Sequence, residues 1–178
     1  MRKVKKFKLT SEFIVDISGV KLFRIKALIE FGNVKAGDLG GYIEKEENLS
    51  HMGNAWVSDD ARISGNTQVF GNAQVFGDAQ VFGDARVFGN AWVSGDAQVF
   101  GDARVSGDKD YAYAHGFGSC NRTTTFFRLK DGDVGVRCGC FYGTLAQFRD
   151  KVCETHGETK KAQEYLMLAD LMEIRFKN

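Results

Sequence analysis

The chain has 178 residues with 24 Lys and Arg against 23 Asp and Glu, a formal net charge of +1, so no global field directs it toward nucleic acid or an anionic surface. At 43% hydrophobic and 12% aromatic it can bury a core, which excludes wholesale disorder. No apolar run approaches the roughly 18 residues of a membrane span, and the basic start lacks an apolar segment before a cleavage site, so a cytoplasmic protein without membrane contact is expected.

The N-terminal cluster Arg2, Lys3, Lys5, Lys6 and Lys8 is interleaved with Val4, Phe7 and Leu9 as in an ordinary half-exposed strand, so nucleic-acid contact is not expected. Apolar residues alternate on either side of Ser18-Gly19 (Phe13, Val15, Ile17, then Val20, Leu22). That pattern predicts a β-hairpin cap over residues 1–30.

From Gly53 the chain reads GNAWVS, DDARIS, GNTQVF, GNAQVF, GDAQVF, GDARVF, GNAWVS, GDAQVF, GDARVS: nine hexads without insertion, ending at Ser106. A period of six fits neither a helix nor a heptad, but it fits a short strand followed by a corner. Val at position five is predicted to point inward with Ala at position three beside it, whereas Gly with Asn or Asp supplies a corner that visits φ > 0. One hexad cannot bury its own Val, so the turns must stack around a shared core, which is the logic of a solenoid. The corner Asp columns are expected to bond locally to turn N–H groups rather than to hold cations.

The pattern V-x-G-[ND]-A-x resembles the hexapeptide-repeat superfamily, and FGNVKAGDLGGYIEKEENLSHMGNAWVS (residues 31–58) resembles the lead-in of an uncharacterised bacterial and prophage subgroup of β-helix proteins. The resemblance implies a left-handed parallel β-helix, a triangular solenoid of three hexads per coil, over residues 31–108. It also implies, as one alternative, an acetyl-CoA-dependent acyltransferase, because such enzymes use a His as general base. None of the three His lies within the hexads. His115 and His51, at the two rims, are the candidates for that role.

With three hexads per coil, residues 18 apart stack in columns about 4.8 Å apart. Trp56, Phe70, Phe76, Phe82, Phe88, Trp92 and Phe100 then fall on outward positions, and such apolar columns predict an oligomer surface, expected to form a homotrimer. The competing outcome is cover by the chain's own ends.

After Ser106 a separate α+β module is expected over residues 109–178. TTTFFRLKDGDVGVRCGCF reads as a hairpin turning at Asp131-Gly132-Asp133. Thr144 and Gln147 have capping-box spacing for a helix ending at Gly157, and Thr159 starts a second helix through Tyr165, Leu168, Leu171 and Met172. The whole is mainly β, with a hairpin at one end and a hairpin plus two helices at the other. Cys120, Cys138, Cys140 and Cys153 match neither a disulfide framework nor a zinc knuckle, so buried thiols are expected, with no metal and no cofactor.

Irregular loops on a rigid scaffold are where ligands are usually held, which selects Tyr111, Tyr113, His115 and Arg122 as binding residues, Arg122 to receive an anion. The expected function is a non-catalytic trimeric binding or scaffold protein. The prophage resemblance implies antagonism of a host system through a host protein or a small anionic ligand.

Overall fold

The computed structural model describes residues 4–177. Arg2 and Lys3 of the basic cluster lie outside the described residues.

Strands β1 (Phe7–Val15) and β2 (Lys21–Ala27) form the antiparallel hairpin. Its turn is held by Asp16, whose Oδ1 accepts the Ser18 and Val20 N–H groups at 2.8 and 2.9 Å. Strand β3 (Leu39–Ile43) pairs antiparallel with β2 on one side and parallel with β5 (Arg62–Ile63) on the other, so hairpin and solenoid share a sheet.

Each hexad contributes one two-residue strand at positions four and five: β4 (Trp56–Val57), β5, β6 (Gln68–Val69), β7 (Gln74–Val75), β8 (Gln80–Val81), β9 (Arg86–Val87), β10 (Trp92–Val93), β11 (Gln98–Val99) and β12 (Arg104–Val105). They stack in parallel as three faces. Face one continues β3 through β5, β8 and β11, face two is β6, β9 and β12, and face three is β4, β7 and β10. In-register pairs such as Trp92 with Gln74 and Arg104 with Arg86 give the 18-residue offset of three hexads per coil.

The inward columns are as the pattern predicts. Ala73, Ala79, Ala85 and Ala91 are fully buried, as are Val75, Val81, Val87, Val93 and Val99. Each Val contributes on the order of 2 kcal/mol of burial. Coil bonds to coil through the backbone, as where Arg62 N–H donates to Ala79 O at 2.9 Å and Gln80 N–H to Ala97 O at 2.9 Å. At the corners the requirement for Gly is double. Gly83 has φ +84°, and a Cβ there would meet Gly101 N of the next coil at 3.0 Å. The hexad that starts with Asp59 adopts the same left-handed conformation at φ +55°, its carboxylate accepting the Gly77 N–H at 3.0 Å.

The solenoid starts earlier than its repeat. Leu49 bridges to Val69 on face two, so β3, Leu49 and β4 make a first coil without hexad spacing. Trp56, expected on an outer face, is 4% exposed, because the lead-in folds over it: Phe31 meets its ring edge-on at 5.4 Å and Gly40 packs on it with no room for a Cβ. The outward Phe residues are half-buried, and Phe100 packs edge-on against Tyr142 with ring centroids 4.7 Å apart.

Both solenoid ends are closed. At the first, Phe7, Ile25 and Ala27 join the solenoid core, and the buried Lys6 donates from Nζ to Ala55 O at 2.7 Å. At the second lies a four-stranded antiparallel sheet of β13 (Tyr111–Phe117), β14 (Arg122–Arg128), β15 (Val134–Cys138) and β16 (Phe141–Thr144). The module therefore exceeds the expected single hairpin. Tyr111, Tyr113 and His115 alternate with Ala112 and Ala114 along β13, a period-two signal that Gly116 and Gly118 disguise as a loop. One sheet face, with Phe127 and Leu129, closes the solenoid core. The other, with Phe126, Val134 and Val136, packs on α1 (Leu145–His156) and α2 (Lys160–Phe176). Thr144 with Gln147 and Thr159 cap these helices as the spacing predicts. Among the described residues no helix is long and apolar enough to cross a membrane.

Two predictions follow from this packing. Val81→Asp buries an unpaired charge in the column and should abolish cooperative thermal unfolding followed by circular dichroism, whereas Gln80→Glu, one residue along and outward, should leave the melting temperature within a few degrees. Burial also lowers the Lys6 ammonium to about 8. Between that value and its ordinary 10.5 the unfolded chain holds more protons than the folded one, so stability rises with pH across this window. Urea midpoints should therefore climb more steeply from pH 8 to 10 in the wild type than in Lys6→Met, and parallel curves would mean that Lys6 is solvated.

Candidate functional site

The outward side chains at positions four and six differ face by face. On face two, Phe70 and Phe88 stack in parallel at 5.2 Å, and Arg104 spends its Nη1 on the Asp84 and Asp102 carbonyls at 3.1 and 3.0 Å. On face three, Phe76 packs edge-on against Trp92, which is 58% exposed. Each of these faces borders a hollow, one of about 640 Å³ where Gln68 and Phe70 meet His51 and Met52, and one of about 360 Å³ where Phe76 and Trp92 meet Asn33 and Val34.

On face one, Arg62, Gln80 and Gln98 form the position-four column, with Phe82 beside them. The hairpin tip around Ile17 and Val20 rises at one end, and Arg137 and Gly139 of the C-terminal module stand at the other, enclosing a groove of about 700 Å³. Arg137 lies opposite Tyr142 in the β15–β16 register, on the sheet face turned toward the solenoid. Its guanidinium lies 5.9 Å from the Phe82 ring and 5.5 Å from the Phe100 ring, and its Nε donates to Gln98 Oε1 at 3.4 Å.

The electrostatics of this groove are unbalanced. Its two carboxylates have internal work: Asp16 holds the hairpin turn, and Glu44 Oε2 accepts the Gly65 N–H at 2.6 Å. Among the described residues its guanidiniums have no carboxylate partner, and the Arg62 side chain makes no hydrogen bond or ion pair.

The residues selected from the sequence do not converge. Tyr111 is 8% exposed, its hydroxyl accepts the Ser94 N–H at 3.3 Å, and burial pushes its phenol above the usual range. Tyr113 stacks on Tyr111 with centroids 6.5 Å apart, and both border a shallow hollow of about 420 Å³ with Trp92 and Arg175. His115 is exposed on β13, with Nδ1 2.9 Å from Thr123 Oγ1. Arg122 borders a different cleft of about 200 Å³, between the sheet and α1.

His51 is part of the N-terminal closure. Its Nδ1 accepts the Lys6 N–H at 3.2 Å, so the proton sits on Nε2, 2.7 Å from Glu46 Oε1, and the ring stacks on Phe7 at 4.4 Å. Hydrogen bonds from Lys5 and then His51 hold the Glu46 carboxyl below the usual range. With both ring nitrogens engaged, His51 is built as a clamp. The thiols differ from expectation too: Cys120, Cys140 and Cys153 are exposed and only Cys138 is half-buried, because they lie on turns and on the outer side of α1. At the corners Asn72 donates to Asn90 at 3.2 Å and Asn66 to Asp84 at 3.0 Å, short ladders along the solenoid edge.

Sequence reasoning missed the groove. The Arg62, Gln80, Gln98 column follows from the 18-residue period, but Arg137 is 39 residues beyond Gln98 and reaches it only through the fold of the C-terminal sheet.

A protein-family profile described as the YdcK beta solenoid repeat matches residues 79–95 and 97–108, the stretch that carries β8 to β12. No curated protein matches the chain. The profile match and the stacked strands together identify a β-solenoid repeat protein.

Proposed function

We propose that this chain is a non-catalytic binding protein that assembles as a homotrimer and receives its partner on face one of the solenoid. The observation that carries the reading is the groove whose two guanidiniums have no carboxylate partner among the described residues. Rigid parallel strands hold its floor, so little ordering is needed when a partner binds. Trp92, exposed on face three, and the half-buried stacked pair Phe70 and Phe88 on face two supply the self-association surface. The prophage resemblance supports a role in a phage–host contest, with a host protein or a small anionic ligand as the partner. The acyltransferase alternative rests on His115, since both ring nitrogens of His51 are engaged.

Solution mass should lie near three chains, and Phe88→Glu should shift it to one chain while keeping the melting temperature within a few degrees. A monomeric wild type would refute the assembly. Partner capture from host lysate should be lost in Arg62→Glu and retained in His115→Ala. Acetyl-CoA turnover by the wild type that disappears in His115→Ala would instead establish the enzyme.

A further inference from the structure

Within the groove the polar groups are ordered along the solenoid axis. Arg62, Gln80 and Gln98 occupy successive coils of face one, and Arg137 adjoins Gln98. Two strand spacings put the Arg62 and Gln98 backbones about 10 Å apart. The two guanidiniums therefore belong to opposite ends of the column, with the two amides between them. Gln98 Oε1 accepts from Arg137, and the Gln98 amide N–H groups make no hydrogen bond among the described residues.

Charge and enclosure each restrict the occupant. A guanidinium recognises carboxylate or phosphate through paired N–H donors, and those of Arg62 are all unused among the described residues, as are the Nη groups of Arg137. The hairpin tip and Gly139 close the groove at both ends, and about 700 Å³ lies in the range of small-ligand sites rather than of a continuous polymer track. Face two has guanidiniums as well, but Arg104 is already bonded to backbone carbonyls and Arg86 is exposed and lines none of the hollows described.

We propose that the face-one groove binds a small elongated dianion, one anionic end on Arg62, the other on Arg137, with a polar or flat middle over Gln80, Gln98 and Phe82. This deepens, and rests on, the reading of the chain as a binding protein.

Calorimetric titration with linear dicarboxylates from succinate to dodecanedioate, against acetate, reads the bracket directly. Affinity should peak at an intermediate length and exceed that of acetate by about tenfold or more. Arg62→Gln and Arg137→Gln should each erase the peak and lower affinity about tenfold, whereas Arg86→Gln should change neither. A flat length profile, no binding, or an equal loss in Arg86→Gln would overturn the dianion assignment. If that happens while lysate capture still depends on Arg62, only the ligand class is wrong. If capture is also indifferent to Arg62, the face-one reading fails with it.

Discussion

Stacking of one coil on the next at an 18-residue offset is the constraint from which everything else in this molecule follows. Each two-residue strand is too short to hold itself, and its N–H and C=O groups find partners only in the coils above and below, as from Arg62 to Ala79 and from Gln80 to Ala97. The interior is correspondingly narrow, room for an Ala and a Val or Ile from each face. A corner every six residues demands a left-handed backbone, and the closeness of the next corner demands that the side chain there be absent, as at Gly83. Asp59 shows the conformational demand persisting without Gly, offset by its bond to the Gly77 N–H.

A stack of this kind has two open ends, each exposing apolar side chains and unpaired backbone groups. The chain closes them by different means. At the N-terminal end a lysine lies in the core, its ammonium held by carbonyl oxygens and by the ring of Phe31, 4.6 Å away. His51 and Glu46 fasten the backbone around it. At the C-terminal end a sheet lies across the opening, with Phe127 and Leu129 on the solenoid and Phe126 and Val136 on the helices. Gln98 N–H finds Thr125 Oγ1 at 2.9 Å, a side chain replacing the missing next coil.

The caps also distinguish three faces that the repeat makes alike. The hairpin continues face one beyond its first coil and the C-terminal sheet brings Arg137 over its last coils, so the groove on face one is lined by guanidiniums from both the solenoid and a cap. Rigid floor and fixed side-chain spacing favour recognition by charge position. His51, by contrast, is engaged in the N-terminal closure, and His115 lies exposed beside Thr123 on the C-terminal sheet.

The sequence by itself determined the solenoid, its inward Val and Ala columns, the Gly corners, the hairpin and both helices with their Thr caps, because each rests on local periodicity or on contacts a few residues apart. The hexad period did not disclose the first coil, whose β3 and Leu49 lack that spacing and fell within the solenoid only through the resemblance of residues 31–58, nor did the sequence disclose the strand β13 behind its glycines. Candidate binding residues were chosen by loop composition, and Tyr111 and Arg122 prove to border separate hollows. Trp56 reads as outward by position and is buried because residues far from it in sequence fold across it. The groove depends on Arg137 meeting Gln98 and on which carboxylates are already engaged. These are facts of which surfaces come together, and only the tertiary structure decided them.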